Sequence, residues 1–232
     1  MHLTRRPAVS LAAATVAAAL LLAGCGGGDD GDGKSGKIEG ADDAGKKSSS
    51  GPEKSGSGSE KKEPDFRTSD IKLPDDVKLV FDWDQPSDPE KAAALDGAAD
   101  YMRALVHGTV KQDSKDPVLA KHVVPLQSAQ EFATTVVKMD VKDGVTATGK
   151  QRYYREDIGQ VVDGKLVEVA FCVDQSEFFD RKVKSGKVLR TEESASSYMR
   201  YTLVMQKPDQ GDRPWKARTF EFEGKAVKQC KG

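Results

Sequence analysis

From residue 79 onward, apolar positions recur first every three to four residues and later every second residue. Leu79 to Trp83 is a short apolar opening. Ser87-Asp88-Pro89-Glu90 follows, with a capping hydroxyl, a proline suited to a first helical turn and an acid that completes a capping box. The spacing predicts a helix here: Leu95, Ala98, Ala99, Met102, Leu105 and Val106 form one stripe, and Gly108 supplies the stop. Such a stripe belongs to a core. Asp116-Pro117 opens a second, shorter helix through Val124, and Ser128-Ala129-Gln130-Glu131 repeats the capping-box pattern before Phe132, Val136 and Met139. Three helical pieces thus precede residue 140.

After Asp143-Gly144 the period becomes two, from Val145 to Arg155, then Ile158 to Val162 and Lys165 to Val173 across an Asp163-Gly164 turn. A ribbon turns at Ser185-Gly186, and Tyr198 to Gln206 and Trp215 to Glu223 alternate likewise around the Pro208 to Pro214 loop. Helices followed by an antiparallel meander predict an α+β fold, with the N-terminal helices packed on one face of a curved antiparallel sheet. Residues 66–232 are expected to form this single domain, the stretch able to bury a core.

What precedes it has a different character. Arg5 and Arg6, an uncharged run of 16 residues from Ala8 to Ala23 and the ending Leu22-Ala23-Gly24-Cys25 follow signal-peptide order over residues 1–24. The run falls short of the roughly 20 residues of a spanning helix. Leu22 to Cys25 look like a bacterial lipobox, which implies a diacylglyceryl group on the Cys25 thiol and cleavage after Gly24. Each buried CH₂ adds about 0.8 kcal/mol of membrane affinity, so two chains hold where one is marginal. An ordinary secretory signal with an incidental cysteine is the alternative. Thr4-Arg5-Arg6 also faintly resembles a twin-arginine signal, and the export route stays open.

Residues 25–65 comprise that cysteine and an expected disordered tether. Between Gly26 and Pro64, 11 of 39 residues are Gly and 7 are Ser, and Ile38, Ala41 and Ala44 alone are hydrophobic, which supports no core. A flexible coil of that length reaches roughly 31 to 37 Å. The whole chain carries 36 Lys plus Arg against 37 Asp plus Glu, so no basic excess points to nucleic acid. A mean hydropathy of −0.58 excludes a polytopic membrane protein.

With Cys25 taken by lipid, Cys172 and Cys230 remain, an even pair outside the cytoplasm that predicts one disulfide and pins the C-terminal segment to the sheet. His107 and His122 lie 15 positions apart without ligands at metal spacing, so neither a metal site nor a cofactor is expected, and His107 reads as a polar group in a last helical turn. Phosphate loops, a GxSxG elbow and a HExxH helix are absent. No catalytic residue is assigned. Trp83, Tyr101, Tyr153 or Tyr154, and Asp174 could line a pocket, where a desolvated carboxylate beside a tyrosine could move protons; plain core aromatics are the bland alternative. Arg181, Lys182, Lys184, Lys187 and Arg190 crowd one ribbon that could meet an anionic surface, or form a solvated hairpin.

The region from Val77 to Cys230 resembles the nuclear transport factor two-like (cystatin-like roll) domains of actinobacterial envelope lipoproteins. The resemblance rests on the Asp88 to His107 opening helix, the helical pieces before Asp140, the Val169-Ala170-Phe171-Cys172-Val173-Asp174-Gln175-Ser176 strand end and the Trp215-Lys216-Ala217 start of a late strand. It implies a cone-like roll with a pocket between helices and sheet, in a family of binders, structural modules and a few isomerases or hydrolases. The expectation is a lipid-anchored, extracytoplasmic membrane protein that binds a small ligand or an envelope protein. The alternative is a cone-pocket enzyme using Asp174 or a nearby Tyr.

Overall fold

The helical rhythm closes into α1 (Pro89–Lys111), α2 (Pro117–His122) and α3 (Ser128–Asp143). The computed structural model describes residues 69–210 and 214–231; the expected export segment, Cys25 and the tether lie outside them. Among the described residues, no helix is long and apolar enough to cross a membrane.

The cap of α1 is Asp88 and not Ser87: its carboxylate accepts from the Glu90 and Lys91 amides at 2.8 and 3.1 Å. Asp at an N-cap satisfies two donors that have no helical partner and adds favourable charge at the positive helix end. Gly108 does not stop the helix. It lies inside it, where an added Cβ would come within 3.2 Å of Val137 Cγ2, so its smallness serves the approach of α3. The chain leaves α1 at Gln112, in left-handed conformation, and the Gln112 side-chain amide donates to Thr109 O and Val145 O. That single side chain ties the end of α1 to the sheet.

At α3 the expected capping box also fails. Ser128 Oγ accepts from the Phe220 amide instead, and Gln130 Oε1 accepts from the Leu126 amide. The helix buries Ala129, Ala133 and Val137, while Met139, expected in the core, is 54% exposed.

The strands are β1 (Val77–Asp82), β2 (Val145–Ile158), β3 (Leu166–Lys182), β4 (Val188–Leu189), β5 (Tyr198–Gln206) and β6 (Lys216–Gly224), followed by a short α4 (Val227–Cys230). The order is β1-β2-β3-β5-β6, with β4 on β3. The meander is antiparallel except at its first edge, where β1 pairs parallel to β2. A parallel pair needs a long crossover, and the three helices supply it. Asp163 and Gly164 both have positive φ, as a tight hairpin turn requires. The architecture is α+β, with helices on one sheet face.

Strand β3 is long enough to have two neighbours along one edge. Leu166 to Asp174 pair with β5, whereas Asp180 and Arg181 pair with β4. Against β2 its register shifts twice, between Tyr154 and Asp157 and again in the middle of β3: there Asp174 faces Arg152 and Glu177 faces Lys150, so Gln175 and Ser176 together stand opposite Gln151. The extra residue is a β-bulge, which switches the parity of the faces. Val167, Val169, Phe171 and Val173 point to the helices before it. After it, the same face holds Phe178 and Asp180, which pair with Gly149 and Ala147. Gly149 has φ +100°, and a Cβ there would lie 2.1 Å from Glu177 O, so the chains close up at this point only with glycine.

The opposite face carries Tyr154, Cys172 and Tyr198, covered by Ala226, Val227 and Cys230. Cys172 and Cys230 are joined in a disulfide, with Cα atoms 5.5 Å apart, and Tyr154 donates to Cys230 O at 2.9 Å. Lys231 pairs with Glu193, which also accepts from the Tyr198 hydroxyl. The Cys172→Ser, Cys230→Ser double variant opens a closure of 58 positions, which in the chain-entropy model contributes about 4 kcal/mol. Thermal unfolding should shift down by roughly 8 to 16 °C for a domain of this size; an unchanged midpoint would show that this link does not stabilise the fold.

Candidate functional site

The apolar stripes of α1 and α3 do not close fully against the sheet. Between them and the far half of β3 lies a cavity of about 360 Å³. Helix α1 contributes Met102, Leu105, Val106 and Thr109; α3 contributes Phe132, Val136 and Asp140; the sheet contributes Ala147, Gln151, Gln175, Phe178, Phe179, Asp180, Leu189 and Tyr201, with Thr191 beside them. The cavity lies beside the start of β5, because beyond Asp174 the edge of β3 meets only the two residues of β4. The bulge aims Phe178 and Asp180 into it. An apolar concavity with a few convergent polar groups is the usual form of a small-molecule site.

Five of those polar groups have defined partners. Asp140 Oδ2 accepts from Thr109 Oγ1 at 2.7 Å, a bond between α3 and α1. Burial holds the Asp140 carboxyl above the usual carboxylate range; the Thr109 hydroxyl opposes this, and the nearby Asp180 and Asp143 charges reinforce it. Gln151, 5% exposed, accepts from the Tyr153 hydroxyl at 2.6 Å, which turns its amide N–H₂ into its remaining polar function. The Gln175 amide donates to Ser196 O at 3.3 Å and leaves its oxygen as an acceptor. Among the described residues, the Tyr201 hydroxyl meets the Met199 sulfur at 3.7 Å, and burial pushes its ionisation far up.

The residues grouped by sequence patterning do not share this cavity. Trp83, Tyr101 and Tyr153 are core residues, at most 6% exposed. Tyr153 stacks on Phe81 with centroids 4.6 Å apart, Trp83 lies 5.0 Å from Phe171, and Tyr101 donates to Ala129 O at 3.0 Å. Such aromatic pairs contribute roughly 0.5 to 1.5 kcal/mol each beyond area burial. Asp174 lies on the other side of the sheet, paired across strands with Arg152 and Tyr198, and accepts from the Ser176 amide. Its charge, after burial, helps raise the ionisation of Tyr154 on that outer face. An enzyme built on Asp174 in a cone pocket therefore has no geometry here; the carboxyl the cavity holds is Asp140.

The basic ribbon is partly neutralised by its own fold. Arg181 pairs with Asp76 at 2.5 Å, Lys182 donates to Asp143 O at 3.0 Å and the Arg190 guanidinium covers the Phe179 ring at 4.9 Å. Lys184 and Lys187 stay exposed.

A second, larger cleft of about 750 Å³ runs beside α1 and α2, past Asp96, Asp100, His107 and His122. Its polar groups hold the fold together. His107 Nδ1–H donates to Asp116, whose other oxygen accepts from the Val118 amide at 3.0 Å as the cap of α2. Asp100 pairs with Arg103 at 3.2 Å. Among the described residues, no three or more His, Cys, Asp or Glu side chains are placed to share a metal ion.

Asp140, Thr109, Gln151, Gln175 and Asp180 escape the patterning, although one signal was present: Phe132, Val136 and Asp140 recur at i, i+4 and i+8, so an acid continues an apolar stripe. The bulge that recruits Gln175 and Asp180 leaves no such trace.

No protein-family model matches the chain, and no curated protein does. Similar solved structures include a ketosteroid isomerase-like protein from Erwinia carotovora atroseptica SCRI1043, at 14% identity, 59% of this chain, 97% of that one and a TM-score of 0.38. A candidate ketosteroid isomerase from Shewanella frigidimarina NCIMB 400 is similar at 16% identity, 58% of this chain, 98% of that one and a TM-score of 0.32. The fold assignment stands on the sheet order and helix packing described above.

The raised ionisation of Asp140 has a consequence for stability. A carboxyl whose folded pKa exceeds its unfolded value weakens the fold as pH rises through that window, because the unfolded chain ionises first. Asp140→Asn keeps an acceptor for Thr109 and removes the charge. Its stability relative to the parent chain should increase from pH 4 to pH 7 in urea melts, and a difference constant with pH would show that Asp140 is not held protonated.

Proposed function

We propose that this protein is a membrane-anchored extracytoplasmic lipoprotein whose domain binds a small, largely apolar ligand in the cavity between α1, α3 and the sheet. The cavity carries the reading: a well-packed core leaves few voids larger than a water molecule, and this one is faced by a glutamine amide and a carboxyl as well as by apolar groups. The anchor rests on Leu22-Ala23-Gly24-Cys25 and on the Gly/Ser-rich residues that follow. Without the Cys25 thiol there is no acyl attachment. Cys25→Ser should move the chain from the membrane fraction to the soluble fraction, and continued extraction with membranes overturns the anchor.

Native mass spectrometry of the full chain, set against the same sample denatured, weighs any passenger directly. An extra mass that leaves on denaturation, and is lost from Ala147→Phe but kept by Asp174→Asn, is the expected result. Ala147 faces the cavity, so a ring there occupies the space, whereas Asp174 lies on the other side of the sheet. A mass retained by Ala147→Phe places the passenger elsewhere and removes the cavity reading.

One observation favours a second reading. A partly desolvated carboxyl held by a threonine hydroxyl can exchange a proton with a bound molecule, so Asp140 would be the group of an isomerase-type reaction. Conversion of the captured molecule, abolished in Asp140→Asn while binding persists, distinguishes catalysis from binding alone.

A further inference from the structure

We infer that the ligand of this cavity is an apolar amine, its ammonium held by Asp140 and Asp180 and a hydrogen-bond acceptor on its body met by the Gln151 amide. The inference rests on the cavity reading above and adds the ligand's charge. Among the residues that face the cavity, two are acids and none is Lys, Arg or His. Neither Asp140 nor Asp180 forms an ion pair among the described residues, and no cation offsets the burial that raises Asp140. The two acids differ in exposure, Asp140 half-buried and Asp180 exposed, and the Asp180 charge acts on the Asp140 carboxyl. A carboxylate in an apolar wall is costly until a counter-charge arrives, and an ammonium is the counter-charge that a small organic ligand carries.

Gln151 adds a polar contact for the body of such a molecule. It is 5% exposed and faces the cavity, its oxygen accepts from Tyr153, and its amide nitrogen has no protein acceptor among the described residues. That nitrogen is not fully buried, so water can satisfy it in the free protein and an acceptor on a ligand can take the water's place. A fatty acid or other anion meets two like charges instead. The Arg190 guanidinium covers the Phe179 ring and is not part of the lining.

Binding of an ammonium and loss of the Asp140 proton are linked. The groups facing Asp140 are Thr109 from α1, Asp180 from β3, Tyr201 from β5 and Asp143 from its own helix, and no cation among them alters the sign. Affinity for an amine therefore rises with pH as Asp140 ionises, over a range in which the amine stays protonated.

Three naphthalene probes test this on the full chain by fluorescence titration: 1-naphthylmethylamine, 1-naphthalenemethanol and 1-naphthoate. The rings are the same and the charges are +1, 0 and −1. The amine should bind at least about tenfold tighter than the alcohol, the scale of a charge-assisted contact, and the acid weakest. Asp140→Asn should remove that preference and the rise of amine affinity with pH. Asp180→Asn, at an exposed position, should reduce the preference and keeps the test open if the first variant folds poorly. Equal affinity for the three probes, or tighter binding of the alcohol or the acid, overturns the charge assignment while leaving the cavity as a site. Failure of all three to bind, or equal binding to Ala147→Phe, overturns the cavity reading and the inference together.

Discussion

The extra residue in β3 at Gln175-Ser176 decides what this fold can hold. Without it, the alternation of Val167, Val169, Phe171 and Val173 would continue past Gln175, placing Glu177 and Phe179 toward the helices and Phe178 and Asp180 away from them. With it, an aromatic ring and a carboxylate turn inward beyond the first residue of β5, where only the two residues of β4 pair with the edge of β3. Gly149 allows the strands to close up there, since any side chain would meet the Glu177 carbonyl. Bulge, glycine and the start of β5 thus occur together, and the cavity lies against all three.

The near half of the same strand shows the opposite regime. Phe81, Trp83, Tyr153, Phe171, Tyr201 and Phe220 form a continuous set of ring contacts beneath α1. These side chains are large and touch one another in edge or stacked geometry, so this end has no room for a ligand. The dense end still serves the open one. The Tyr153 hydroxyl leaves the aromatic cluster to fix Gln151, and Tyr201 belongs to both the core and the cavity wall. Rigid packing on one side is what keeps a glutamine oriented on the other.

This division explains what the sequence made legible. The helix starts at Pro89 and Pro117 and the Asp163-Gly164 turn follow from local chemistry, and local chemistry is written in consecutive residues, whereas the stop expected at Gly108 yields to the packing of α3. The N-cap missed by one place at Asp88, and the failed box at Ser128, came from two hydroxyls of equal promise, one of which the fold uses for the Phe220 amide. The Cys172–Cys230 bond was readable because two cysteines outside the N-terminal segment allow one pairing. The pocket is not legible in this way, because aromatic residues do not mark it. Trp83, Tyr101 and Tyr153 are large enough to fill space, and here they fill it; the cavity is found where side chains are smaller or polar and where two register positions face one.

The outer face completes the argument about where a ligand can sit. An unfilled space forgoes contacts that a packed core would have, so a domain that keeps one needs stability from elsewhere. Here the C-terminal residues supply it on the far side of the sheet: the Cys172–Cys230 bond, the Tyr154 contact to Cys230 O and the pairing of Lys231 with Glu193 hold α4 over Tyr198. In Glu193 the Lys231 ammonium holds the carboxyl below its usual range, and the Tyr198 hydroxyl adds to the effect. The Lys231 bond ties the last described turn back to the segment before β5. That face is covered and cross-linked, leaving Asp174 in its midst with backbone and cross-strand duties. The helix face is the one left open, and a molecule that enters there meets Asp180, Asp140 and Gln151.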